Sequence, residues 1–266
     1  MKFKTNFLNR YLRTAPIPLA VERTLECVLH SKKDFARPIL DVGCGEGLFA
    51  QMLFDEQIDV GIDPDERELL RAKELGMYTE LIKCFGDKIP KPSSSFNTIL
   101  SNSVMEHIPD IEPVLKEINR LLTAEGNFYV TLPTNLFDNY SIINQFLTGI
   151  GLKHQAAKFR TFFNSFWRHY HYYDLAGWKA MFERNGFYIV EHREYAGKSL
   201  CLFDDFMTPL SIPSLILKKT MNKWVLFPFL RPLITLPVKL FIRESNVEKF
   251  LTTERGGLIY FHLKKR

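Results

Sequence analysis

The stretch Leu40–Gly47, LDVGCGEG, sets glycines at 43, 45 and 47 directly after a short apolar run. Glycine is required where the backbone takes positive φ, or where a ligand must touch the main chain. Leu48 opens a segment of helical character, so the loop joins a strand to a helix start, where free N–H groups and the positive dipole end favour anionic groups. At the carboxyl edge of a parallel sheet such a turn is a cofactor cradle. A dinucleotide site calls for G-x-G-x-x-G. Here the sixth position is Leu48, and the third glycine comes one residue early. The loop therefore suits a smaller nucleoside, one carrying a charged amino-acid tail in place of a diphosphate.

Strand and helix patterns alternate around this loop. Strands are expected at 38–42, 59–63, 78–84, 96–102 and 126–133, and helices at 48–56, 65–75 and 111–122. That alternation means βαβ units and a parallel sheet with helices on both faces. After Pro133 the pattern breaks into an aromatic, basic insertion, 134–173, ending in RHYHYYD. A helix over 175–187 and strands over 187–195 and 256–265 follow. The expected architecture is one domain over 1–266: a helical N-terminal cap (1–36), a cofactor-binding half (37–133), the aromatic insertion, and a C-terminal half (174–266). An apolar insertion at about 200–243 interrupts that last half.

Composition narrows the partners. A net charge of +5 is only mildly basic, far from the dense basic stripe of a nucleic-acid binder, and no nucleic-acid partner is expected. Cys27, Cys44, Cys84 and Cys201 form no C-x-x-C pair, so neither a disulfide framework nor a zinc site is indicated, and a cytoplasmic location is expected. Residues 1–14 carry Lys2, Lys4, Arg10 and Arg13 among apolar residues, a pattern shared by transit peptides and by amphipathic helices packed on a domain. The second reading is preferred, and no secretory signal is visible.

Beyond the loop, three further motifs fall in order: GIDP (61–64), GDKIP (86–90) and FNTILSNSVMEHIPD (96–110). Asp63, ending the second strand, is placed to accept from two ribose hydroxyls, and Asp87 to receive an exocyclic amine. Together with DVGCGEG these motifs resemble the class I, seven-stranded S-adenosylmethionine-dependent methyltransferases. The resemblance implies a doubly wound α/β fold, its seven-stranded sheet mostly parallel with an antiparallel C-terminal strand, plus the helical and apolar insertions. It implies S-adenosyl-L-methionine as cofactor and S-adenosyl-L-homocysteine as product. By the same resemblance Asp41, Gly43, Cys44 and Gly45 hold the amino-acid tail, Asp63 with Pro64 the ribose, and Asp87 with Lys88 the adenine. Ser101 and Asn102 then lie near the sulfonium.

Methyl transfer is an in-line displacement from an excellent leaving group, so the protein mainly positions the acceptor and excludes water. One base suffices for a phenol, carboxylate or amine. Glu106 and His107 stand near the carboxyl edge, and in RHYHYYD alternate residues of an extended segment share a face, aligning His169, His171 and Tyr173. His107, His171 and Tyr173 are the catalytic candidates. SVMEHIPD (103–110) resembles a stretch of quinone-biosynthesis O-methyltransferases and of small-RNA end methyltransferases, whose E-x-x-E-H binds metal. Ser103 replaces the first glutamate, leaving too few oxygen ligands for a hard cation, so no metal is expected.

The segment 212–242 is apolar but broken by Pro228, Pro232 and Pro237, with Lys218, Lys219, Lys223, Arg231 and Lys239 and no acid. The prolines and cations argue against a membrane span. A packed lid over a greasy substrate and peripheral contact with the inner face of a membrane both fit. The function expected is methylation, at oxygen, of a small-molecule or lipid-linked acceptor. A non-catalytic S-adenosylmethionine-binding module and a protein methyltransferase are the alternatives.

Overall fold

The computed structural model describes residues 1–221, 223–231 and 235–266. Its sheet contains β1 (Ile39–Val42), β2 (Ile58–Asp63), β3 (Tyr78–Lys83), β4 (Phe96–Asn102), β5 (Leu122–Pro133), β6 (Phe187–Gly197) and β7 (Gly256–Lys265). The order is β3-β2-β1-β4-β5-β7-β6. All pairings are parallel except those of β7, which runs antiparallel to both β5 and β6. The doubly wound seven-stranded sheet with one reversed C-terminal strand is thus observed.

Strand alternation distributes the core. Ile39, Leu100, Tyr129 and Tyr260 pack on one face, with α1 (Phe7–Thr14), α2 (Ile17–His30) and α3 (Leu48–Leu53). Their neighbours Leu40, Ile99, Val130 and Ile259 pack on the other, under α5 (Ile111–Leu121) and α8 (Leu175–Arg184). One-residue steps between faces are what a pleated strand buried on both sides requires. α1 buries Phe7, Leu8, Tyr11 and Leu12, so the basic N-terminus is a packed amphipathic helix. α4 (Glu66–Leu75) is capped by the Asp65 side chain, which accepts from the Arg67 N–H at 2.9 Å.

Winding reverses between β1 and β4, and there the carboxyl ends of the strands open a crevice. The 134–173 insertion contributes α6 (Ile142–Gly149) and α7 (Lys153–Phe166). A continuous helical stretch, Lys198–Met221, comprises α9 (Lys198–Met207), a tighter turn, and α10 (Ile212–Met221). Within the 212–242 segment, 222 and 232–234, including Pro232, lie outside the described residues.

Candidate active site

Gly43, Gly45 and Gly47 all take positive φ, at 78°, 52° and 78°. A Cβ on Gly43 would lie 2.5 Å from Val104 Cγ1, so close approach of the β1 and β4 ends forbids a side chain there. One on Gly45 would meet nothing within 4 Å, which leaves that main chain open to a ligand. The Gly45 N–H donates to Asp63 Oδ2 at 3.0 Å, and Asp65 N–H to Oδ1 at 2.8 Å. Asp41 lies beneath the loop, accepting from the Tyr78 hydroxyl at 2.7 Å. Burial pushes its carboxyl up to about 7 despite that bond.

A groove of about 380 Å³ runs over the loop, lined among others by Gly43, Asp63, Pro64, Asp87, Val104 and His107. Four of the sequence-expected cofactor residues thus share one wall. Lys88 is exposed beside Asp87. Cys44 is buried, its thiol raised by burial. Ser101 and Asn102 sit behind the groove. Ser101 donates to the Val42 carbonyl at 3.2 Å, while Asn102 donates to Glu26 Oε2 at 2.7 Å and accepts from Thr131 Oγ1 at 2.9 Å. An open glycine main chain flanked by two acids fits a nucleoside with hydroxyl, amine and ammonium groups to place.

Residues 103–108 form the far wall of this groove, and a cavity of about 270 Å³ lies beyond them. His107, in the 3-10 turn Met105–His107, lines both spaces. The cavity is closed by Leu19, Glu22 and Arg23 of α2, Phe163 of α7, and Asp204, Asp205, Thr208 and Ser211 of the 198–221 stretch. On that stretch Asp204, Asp205, Thr208 and Ser211 line the cavity beside Cys201 and Leu215, while much of its remaining apolar surface faces outward. Phe206, Leu210 and Ile216 are 68%, 64% and 57% exposed. Among the described residues, the 212–242 segment contributes Leu215 and Trp224 to the cavity lining.

Acids dominate the inner wall. Arg23 Nη1 pairs with both Glu26 oxygens, at 2.7 and 2.5 Å, and donates to Ser103 Oγ at 2.6 Å. Glu26 also accepts from Ser103 Oγ at 3.0 Å and Tyr195 OH at 3.2 Å, so its lone pairs are spent. Glu106 is 3% exposed, and its Oε2 has no hydrogen-bond partner. Asp204 Oδ1 is likewise unpartnered. Burial pushes Glu106 up to about 8, Glu22 up to about 7 against the pull of Arg23, and Asp204 well above the usual carboxylate range. Burial lowers His107, and takes His169 down to about 4, so both rings are neutral near pH 7.

The three aligned residues of RHYHYYD part company. His169 faces the cavity, its ring centroid 5.3 Å from that of His107. His171 instead spends Nε2 on the Ile108 carbonyl at 2.9 Å and Nδ1 on Tyr173 OH at 3.0 Å. Tyr173 packs on Trp178, with centroids 5.0 Å apart. Neither His171 nor Tyr173 lines the cavity, whereas His107 does. Glu22, Arg23, Glu26 and Asp204 escape sequence reasoning because only tertiary packing joins α2 to α9. Among the described residues no three His, Cys, Asp or Glu side chains converge as a metal site.

The profile of a family described as "Methyltransferase domain" matches residues 11–192. The ubiquinone biosynthesis O-methyltransferase of Salmonella paratyphi A is 29% identical over 108 residues, covering 38% of this chain and 45% of that protein. Its counterpart in Vibrio atlanticus is 29% identical over 113 residues, 40% of this chain and 47% of that one. The matches span less than half the length of these relatives. In fold, a SAM-dependent methyltransferase of Thermotoga maritima superposes with a TM-score of 0.52 at 15% identity, over 97% of this chain and 91% of that one. A protein of Galdieria sulphuraria described as a "putative sarcosine dimethylglycine methyltransferase" gives 0.53 at 18%, over 93% and 85%.

Proposed function

Because the chain belongs to the methyltransferase-domain family, we propose that it methylates an amphiphilic small-molecule or lipid-linked acceptor held in the 270 Å³ cavity, using S-adenosylmethionine. The observation that carries this reading is the position of His107, which borders both the glycine-loop groove and the cavity. Gly43 and Gly45 would hold the amino-acid tail, Asp63 the ribose and Asp87 the adenine. When bound, the cofactor supplies an electrophilic methyl group on a positively charged sulfur.

The chain's own groups do the rest. Leu19, Phe163 and Leu258 exclude water from the cavity. Neutral His107 has Nδ1 3.2 Å from the Arg168 carbonyl, which fixes the ring and leaves Nε2 to meet the acceptor. His171 and Tyr173 are positioning residues in this scheme, steadying the 105–108 wall through the Ile108 carbonyl. Support for oxygen as accepting atom comes from the likeness of SVMEHIPD to the quinone enzymes.

Access from a membrane surface is part of the proposal. Lys198–Met221, 24 residues, is long and apolar enough to cross a bilayer by length and composition, yet Asp204 and Asp205 face the cavity within it. A helix lying in the interface satisfies both facts, with Phe206, Leu210 and Ile216 in lipid and exposed Lys219 and Lys223 at anionic headgroups. Each of those apolar side chains contributes about 1.5–3 kcal/mol on full burial. Incubation with methyl-labelled S-adenosylmethionine and fractionated cell extract tests the reading. Label in the lipid fraction that disappears with Asp63→Ala is expected; label confined to protein would replace this reading with a protein methyltransferase.

A further inference from the structure

We propose that the acceptor cavity selects a cationic amphiphile, an amine whose ammonium lies among Glu22, Glu106 and Asp204 while its apolar body lies on Leu19, Phe163 and Leu258. The inference rests on the cavity being the acceptor site, and it puts nitrogen in place of the oxygen expected from the sequence.

Charge balance carries the argument. Arg23 is the one permanent cation lining the cavity among the described residues, and it is already spent on Glu26 and Ser103. Four further carboxyls line it; Asp205 accepts from the Ile142 N–H at 2.7 Å, which leaves Glu22, 3.3 Å from Arg23, and Glu106 and Asp204, each with an oxygen that has no partner. A buried carboxyl left unpaired is costly, so a site built this way awaits a donor or a cation. The two histidines on the wall supply neither charge, being held neutral by burial. A phenol or alcohol would satisfy one oxygen and leave the surplus acids facing one another. An ammonium offers three N–H donors and a full charge to the same three side chains.

The chemistry also balances. The ammonium gives its proton to the Glu106 carboxylate, yielding a neutral amine and a carboxylic acid. The amine lone pair then forms the N–CH3 bond as the S–CH3 bond breaks, its electron pair passing to sulfur to leave S-adenosylhomocysteine. Burial, reinforced by Glu22 and Glu26 and opposed by Arg23, raises Glu106 up to about 8, which narrows its gap to an alkylammonium and eases that proton transfer.

Titration calorimetry of the full chain at pH 7.5 with n-octylamine, n-octanol and n-octanoate tests the inference. Octylamine is expected to bind at least tenfold tighter than octanol, with octanoate weakest. Its heat should vary with the ionisation enthalpy of the buffer, because the cation expels protons from the carboxyls. Glu106→Gln and Asp204→Asn should each remove most of the amine preference, lowering octylamine affinity several-fold more than octanol affinity. Octanol or octanoate binding as tightly as octylamine overturns the cationic acceptor but keeps the cavity as a site. Failure of all three to bind overturns both.

Discussion

Lys218 of α10 forms an ion pair with Glu46, which stands between Gly45 and Gly47 in the cofactor loop. Trp224 Nε1 donates to the same carboxylate at 2.6 Å, and Lys218 Nζ lies 5.0 Å from the Trp224 ring centroid. The apolar segment is thereby fastened to the loop that cradles the cofactor.

This latch predicts a coupled loosening. In Glu46→Ala the segment after residue 210 should open about fivefold more often, the value of roughly 1 kcal/mol for a partly buried pair with a charge-assisted hydrogen bond. Limited proteolysis between 210 and 231 reads it directly. Unchanged cleavage would mean that the aromatic contacts alone hold the segment.

The glycine loop separates steric from conformational cost. Gly43→Ala combines φ of 78° with the Val104 clash and should lose about 2–4 kcal/mol of stability, whereas Gly45→Ala, unobstructed at 52°, should lose about 1–2. Urea denaturation measures both. Adding Val104→Ala should relieve part of the first loss and none of the second.

Asp63 is expected to act through two oxygens. It organises the loop through the Gly45 and Asp65 N–H groups and offers its remaining lone pairs to the groove. Asp63→Asn should weaken S-adenosylhomocysteine binding about tenfold or more, as for loss of charge-assisted hydrogen bonds worth roughly 1.5–3 kcal/mol. Equilibrium dialysis provides the check, and an unaltered affinity would place the ribose elsewhere.

Stability should fall as pH rises. Glu106 is held up to about 8, above its unfolded value, so the folded state binds the extra proton; its contribution is complete below about pH 4.3 and is lost as pH climbs through 8. Glu22 acts in the same direction, up to about 7. Glu106→Gln should therefore gain stability relative to the parent at pH 8.5, by about 1–3 kcal/mol, with the gap closing towards pH 5. Thermal melts across that range would show an unchanging gap if Glu106 were ionised throughout.

Much of the fold was legible because the sheet is buried on both faces and punctuated cleanly. β4 and β7 fall at the expected residues, 96–102 and 256–265. β5 begins at Leu122, four residues before the expected start, because α5 passes straight into it and the register shifts between Phe96 and Thr98. The sequence marks 134–173 as an aromatic, basic insertion without fixing any element inside it. Its helices α6 and α7 leave Ile143, Phe146, Phe162 and Phe166 exposed, so their apolar residues do not mark a single inward face. Asp63 and Asp87 follow from motif order along the sheet edge. The acid cluster does not, since Glu22 and Asp204 meet only after the chain has folded.

Along residues 198–221, exposed Phe206 and Leu210 and the cavity residues Asp204 and Ser211 follow reversed substitution rules. On an ordinary surface helix, polar replacements are tolerated outside and apolar ones inside. Under the membrane contact proposed above, an acidic residue at Phe206 or Leu210 would leave the cavity lining untouched and weaken only that contact, whereas an apolar residue at Asp204 or Ser211 would fill the chamber and change what it accepts. In that proposal, attachment and appetite lie on opposite sides of one helix, free to vary separately.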